Sequence, residues 1–266
     1  MKRSHEIPKA WLGIWTSAVV FFLLAPLFCI ALVSVTANDY ISLPSNGVSF
    51  KWYLKILDNP VFLQTASNSL VLAAAAAGAA MVLGVSVSLA LVRYRFRMRD
   101  TVQILTMSPL FVPMVMIGLA VLSFTTQAGW TDQASRVFIG HAALTLPYVV
   151  RTVSASLTGF DPNQELAARN LGATALQAFL RVTLPQLGPG ILAGFIFAFI
   201  VSFDNVGLSI FLIGSRFSTL PVEIFTYASY NNDPMTAAIS VLMILFSISA
   251  VAALEYFFGL QKLMRG

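Results

Sequence analysis

Long apolar runs alternate with short polar stretches along this chain. The runs lie at about 11–35, 67–92, 101–125, 136–157, 187–213 and 235–259. Each reaches the roughly 20 residues that a helix needs to cross the hydrocarbon of a bilayer. Uninterrupted runs of that length exclude a transmembrane β-barrel, whose strands alternate over about ten residues. The pattern predicts an all-α membrane protein with six transmembrane helices, organised as a single membrane domain over residues 1–266. Between the fourth and fifth runs lies a polar stretch, 160–186, that reads as two short helices. Asp161 is a good N-cap, Pro162 suits the first helical position, and Gln164 completes a capping box. Gly172 can take the left-handed conformation that ends a helix. Thr174 and Gln177 form a second box, and that helix should stop at Leu184-Pro185.

Composition reinforces the membrane reading. Of 266 residues, 58% are hydrophobic and 10% charged, and the mean hydropathy is +0.81; soluble domains carry roughly 25% charged residues. Cys29 is the single cysteine, so no intrachain disulfide can form. The first run has a basic start and a possible Val35-Thr36-Ala37 cleavage site, yet it far exceeds the roughly 7–15 residues of a signal-peptide core. Trp11 and Trp15 suit interfacial anchors, so the run reads as a permanent span.

Charge sets the orientation. With the N-terminus inside, the inner side holds Lys2, Arg3, Lys9, Arg93, Arg95, Arg97, Arg99, Arg151, Arg169, Arg181, Lys262 and Arg265, against Lys51, Lys55, Arg136 and Arg216 outside. That asymmetry predicts cytoplasmic termini and a cytoplasmic 160–186 loop. The alternation Arg93-Tyr94-Arg95-Phe96-Arg97-Met98-Arg99 resembles a nucleic-acid contact, but in a short turn between spans it fits topological anchoring and headgroup contact better.

Several intramembrane features invite chemistry. Ala73–Ala80, Gly84, Ser86 and Ser88 give the second run a small-residue face for close packing, inside the bundle or against a second subunit. Pro109, Pro113 and Pro147 could kink the third and fourth spans. Outside, Phe50–Leu57 suits a short interfacial helix that braces the bundle or borders an entry. Asp204 in the fifth run lies roughly 24 Å along a helix counted from Gly188. A carboxylate there should face a cavity or the bundle interior, and on a pathway it would suit a cation. His141 reads as a hydrogen-bonded bundle residue without metal-ligand partners, and Arg151 can snorkel to the inner surface. An intramembrane hydrolase would need a nucleophile with a base in reach, and no Gly-x-Ser-x-Gly stretch occurs. No phosphate-binding Gly-x-x-x-x-Gly-Lys-Ser/Thr loop occurs either, so the chain is not expected to hydrolyse ATP. An ion-coupled carrier would show more intramembrane ionisable groups.

Glu165-x-Ala167-Ala168, Gly172 seven residues after the glutamate, and Leu184-Pro185 resemble the "EAA" loop of bacterial type I ABC-importer permeases. Leu166 stands where many relatives have alanine. The Tyr94-Arg95-Phe96 turn fits the same family. Ser202-Phe203-Asp204-Asn205, with Leu220-Pro221 and Asp233-Pro234, is similar to its spermidine/putrescine subgroup, although Asn205 replaces a second acid that such relatives often carry. The resemblance implies a non-enzymatic permease subunit in the bacterial inner membrane, importing a small amine. The amine would be cationic, such as spermidine or putrescine, or alternatively a zwitterionic amino acid derivative. It implies a second permease subunit, with a heterodimer expected, two ATPase subunits and a periplasmic binding protein. ATP and magnesium would sit on the ATPase, with no cofactor or metal on this chain. Glu165, Leu166, Ala167, Ala168, Leu171, Gly172, Ala173 and Thr174 would dock the ATPase, Glu165 being free to pair with a basic group there. Ser202, Phe203, Asp204 and Asn205 would line the pathway.

Overall fold

The computed structural model describes residues 9–258. Lys2, Arg3, Lys262, Arg265 and the end of the sixth run at Gly259 therefore lie outside the described residues. The architecture is helical throughout: α1 (Lys9–Ser34), α2 (Lys51–Leu57), α3 (Pro60–Arg93), α4 (Arg99–Met107), α5 (Met114–Gln127), α6 (Gln133–Thr158), α7 (Pro162–Asn170), α8 (Ala175–Ala178), α9 (Leu184–Phe203), α10 (Ser209–Leu212), α11 (Leu220–Tyr230) and α12 (Met235–Phe258). Among the described residues, five stretches are long and apolar enough to cross a membrane, and the bent pair Arg99–Leu110 and Met114–Gln127 makes up to a sixth.

That third span is broken rather than kinked, with 109° between its halves. Pro113 has no N–H to continue the ladder and disfavours helical geometry at Val112, so the chain leaves the helix at Phe111–Pro113 and restarts at Met114. Pro147 lies inside α6 without interrupting it. Span two starts earlier than its hydropathy suggests, at Pro60.

Two compact units emerge among the described residues, 9–60 with 227–246 and 61–226 with 247–258. In the first, the turn after α1 is tied to α2. The buried Trp52 donates its indole N–H to the Thr36 carbonyl at 3.0 Å. Lys51 Nζ reaches the Ala37 carbonyl and Asp39, each at 2.7 Å, and the Lys51 hydrogen bond and charge hold the exposed Asp39 carboxyl below its ordinary range. These contacts fasten α2 to the turn that follows α1.

The second unit is built on α3, α6 and α9. The small-residue face of α3 packs inside, where Ala77 and Ala80 meet Val149, Val153, Leu187 and Ala198, and Ser88 Oγ donates to the Val150 carbonyl at 3.1 Å. Without that face the helices could not approach: a Cβ at Gly84 would lie 2.8 Å from Val149 Cγ1, and one at Gly194 would lie 3.0 Å from Val149 Cα. Close backbone approach replaces the hydrophobic drive that apolar side chains lose in lipid.

Candidate functional site: a capped polar loop and the end of the fifth span

The polar loop is built by its caps. Asp161 accepts from the Asn163 N–H at 3.0 Å and opens α7. The capping box expected there does not form, because Gln164 directs its side chain across the loop and accepts from Gln186. Helix α7 closes in a Schellman motif: Gly172 N–H donates to the Arg169 carbonyl and Ala173 N–H to that of Ala168. Gly172 has φ +94°, the left-handed geometry that glycine tolerates at least cost. The second box is complete, with Thr174 and Gln177 bonding each other's N–H groups.

The helix after that box does not stop at Leu184-Pro185 as expected. Helix α8 passes through a π-helical turn, Phe179–Thr183, directly into α9, and Ala175–Phe203 runs as one 29-residue span. A π turn widens the helix by one residue per ring, which accommodates a proline that can neither donate nor sit close to the carbonyl four residues back. The loop is thus one free helix, α7, and the N-terminal extension of span five.

Glu165 is not free to pair with a partner, contrary to expectation. Its Oε2 lies 2.8 Å from Arg93 Nη2 and accepts from Thr183 Oγ1 at 2.8 Å. Arg93 also donates to Thr183 Oγ1 at 3.3 Å, and its guanidinium stands 5.9 Å from the rings of both Phe160 and Phe179. The two charged side chains are 19% and 27% exposed. Burial pushes the Glu165 carboxyl up, but the Thr183 hydroxyl and the Arg93 guanidinium, with Arg169 beyond, outweigh it and hold the group below 4.5. Arg93 therefore clamps the end of α3 to α7 and to the π turn. Sequence reasoning grouped Arg93 with the anchoring arginines; its place in the last turn of α3 is the signal that sets it apart. The apolar side chains beside the clamp point outward: Leu171 is 90% exposed, Leu166 53%, and Leu176 and Leu180 are exposed too.

The fifth span ends at Phe203, ten residues short of the expected Ile213, and Asp204 forms its C-cap. Residues 204–208 leave the helix before α10 restarts at Ser209. The break is held from inside. Asn205 Oδ1 accepts from the Leu208 N–H at 2.9 Å, holding the turn that leads into α10, and Asn205 Nδ2 lies 3.3 Å from Met114 Sδ. His141, fully buried in α6, spans the gap: Nδ1 is 2.7 Å from Ser202 Oγ and Nε2 is 2.8 Å from Ser209 Oγ. Ser209 Oγ donates its proton to the Asn205 carbonyl. It then accepts from the Nε2–H of His141, whose Nδ1 pairs with the Ser202 hydroxyl. His141 is hydrogen-bonded within the bundle as expected; that it staples the two sides of the break was not legible.

The four residues assigned to the pathway are therefore divided. Ser202, Phe203 and Asn205 are buried, Phe203 stacking on Phe199. Only Asp204 is exposed, and no described side chain forms a hydrogen bond or ion pair with its carboxylate.

A bundle of long apolar helices with one broken span and a capped loop helix has the architecture of a membrane permease. Residues 80–259 match the family described as "Binding-protein-dependent transport system inner membrane component". The chain belongs to that family of ABC-importer permeases. It is 29% identical over 238 residues to the spermidine/putrescine transport system permease protein PotC of Haemophilus influenzae, covering 88% of this chain and 93% of that protein. It is 30% identical over 230 residues to the putrescine transport system permease protein PotI of Escherichia coli K12, covering 84% and 82%. Among solved structures, a chain of a bacterial ABC transporter importing the acidic polysaccharide alginate superposes with TM-score 0.71 at 17% identity, covering 97% of this chain and 99% of that one. The similarity to that structure concerns the fold.

Proposed function

We propose that this permease subunit imports a small cationic amine of the polyamine class, together with a second permease subunit, two ATPase subunits and a periplasmic binding protein. The observation that carries the cargo is Asp204, an exposed carboxylate free of side-chain partners among the described residues, at the C-terminal end of the fifth span. The carboxylate and the helix dipole both make that end negative, which attracts a cation. The polyamine names of the PotC and PotI relatives point the same way. Ser202, Asn205 and His141 shape the break that presents Asp204. On the cytoplasmic face, Leu166, Ala167, Ala168, Leu171, Gly172, Ala173 and Thr174 offer the docking surface for the ATPase. Glu165 positions that surface through Arg93. The inner-side excess of arginine and lysine supports cytoplasmic termini.

The test is uptake of labelled spermidine and putrescine into proteoliposomes holding the whole complex, normalised to assembled complex. Asp204→Asn keeps the shape and removes the charge, so normalised uptake should fall while the periplasmic protein still binds its ligand. Unchanged normalised uptake would take Asp204 out of the pathway. Transport of a neutral or anionic solute in preference to both amines would overturn the cargo.

A further inference from the structure

Two arginines that the transport reading leaves unused meet in one groove. A cavity of about 390 Å³ between α4 and α6 is lined at its polar end by Arg99, Gln103, Arg151 and Ser154. Its other end is apolar, formed by Met107, Leu110 and Phe111. It shares Gln103, Met107 and Phe111 with a second, nearly apolar cavity of about 660 Å³ running along Ile104 and Val112. Together they form one amphiphilic trough beside the broken third span.

The arginines are not neutralised inside the chain. Arg99 donates its Nε–H to the Leu91 carbonyl at 2.8 Å, which fixes its guanidinium at the end of α3. Arg151 has no hydrogen bond or ion pair among the described residues, and the polar end contains no carboxylate. Asp100 lies in the apolar cavity's lining instead. Phe111, at the junction of the two cavities, is 83% exposed. Two guanidiniums, that of Arg99 held by the chain and that of Arg151 without an anionic partner, suit an oxyanion that accepts several hydrogen bonds, and the trough beyond suits an acyl chain. A cationic amine would be repelled there, so this is not a site for the cargo proposed above.

We infer that this trough binds an anionic phospholipid, with its phosphate between Arg99 and Arg151 and an acyl chain along Met107, Leu110 and Phe111. Given the orientation proposed above, the lipid belongs to the cytoplasmic leaflet; the binding itself stands independently of the cargo.

The experiment uses the complete transporter complex, purified in mild detergent, incubated with phosphatidylglycerol or phosphatidylcholine, and weighed with its bound lipid by native mass spectrometry. Wild type should retain phosphatidylglycerol over phosphatidylcholine. Arg151→Gln should lower that retention roughly 5- to 10-fold, from the contribution of one surface arginine to an anionic lipid. Arg151→Lys should restore much of it. Arg151 makes no hydrogen bond or ion pair among the described residues, so the variant tests binding without removing such a bond. Equal phosphatidylglycerol retention by wild type and Arg151→Gln would overturn the site, as would equal retention of the two lipids by wild type. Displacement of phosphatidylglycerol by millimolar inorganic phosphate would assign the arginines to a soluble anion and overturn the lipid. Loss of complex assembly in Arg151→Gln with lipid retention per complex unchanged would assign them to an acidic group of a partner subunit, and would overturn it equally.

Discussion

If Glu165 organises the coupling loop through Arg93, the two residues must act as one unit. The Glu165 carboxylate receives two charge-assisted contacts of 2.8 Å, from Arg93 and from the buried Thr183 hydroxyl. Hydrogen bonds to charged groups are worth about 1.5–3 kcal/mol each, and partly exposed ion pairs less. Glu165→Gln keeps the shape and an acceptor for Thr183 but loses the ion pair, so about 1–2 kcal/mol is the expected cost. Arg93→Gln breaks the same pair from the other side, at about the same cost. The double variant should lose little beyond either single one, giving a coupling of about 1–2 kcal/mol. The assay is the affinity of the separate ATPase subunit for the permease in nanodiscs, across wild type, both single variants and the double. Each single variant should weaken docking roughly tenfold, with the double near the singles. Docking unaffected by Arg93→Gln, or additive losses, would refute the clamp and return Glu165 to a direct contact with the ATPase. The pH dependence has a definite sign. The folded carboxyl titrates below its ordinary 4.5, so its contribution is fully present above that value and is lost as pH falls through the lower, folded value. Docking should therefore be insensitive to this group across neutral pH.

Gly172→Val places a β-branched residue at φ +94°, costing about 1–3 kcal/mol of strain; spans should insert normally while substrate-stimulated ATPase activity is lost, and full transport at normal expression would refute it. His141→Ala removes the partners of Ser202 and Ser209 and should destabilise the permease by about 2–4 kcal/mol, read as a lower unfolding temperature in detergent; an unchanged value would show that the break does not depend on the staple. Gly194→Val drives side-chain atoms against the α6 backbone near Val149 and should reduce folded yield, at about 1–3 kcal/mol for overpacking; wild-type yield would mean that α6 and α9 are not held so close.

Periodicity and local chemistry determined much of this protein before any packing was known. Apolar run length depends on bilayer thickness alone, so the long spans and the all-helical class were legible, as were the Thr174–Gln177 box and the left-handed Gly172, whose partners lie within a few residues. What failed were inferences about groups whose partners are distant in sequence. Glu165 looked free because Arg93 is 72 positions away (165 − 93), and Gln164 looked like a cap because Gln186 was not in view. Span five read as continuous to Ile213 because hydropathy measures transfer to lipid and is blind to backbone breaks. The helix ends at Phe203, where Asn205 holds the turn to Leu208 and His141, from α6, bonds both sides of the gap. A buried polar group needs a partner, and its sequence neighbours do not say which distant residue supplies one. That choice belongs to the tertiary structure, which alone left Asp204 facing outward while burying Ser202, Phe203 and Asn205 around it.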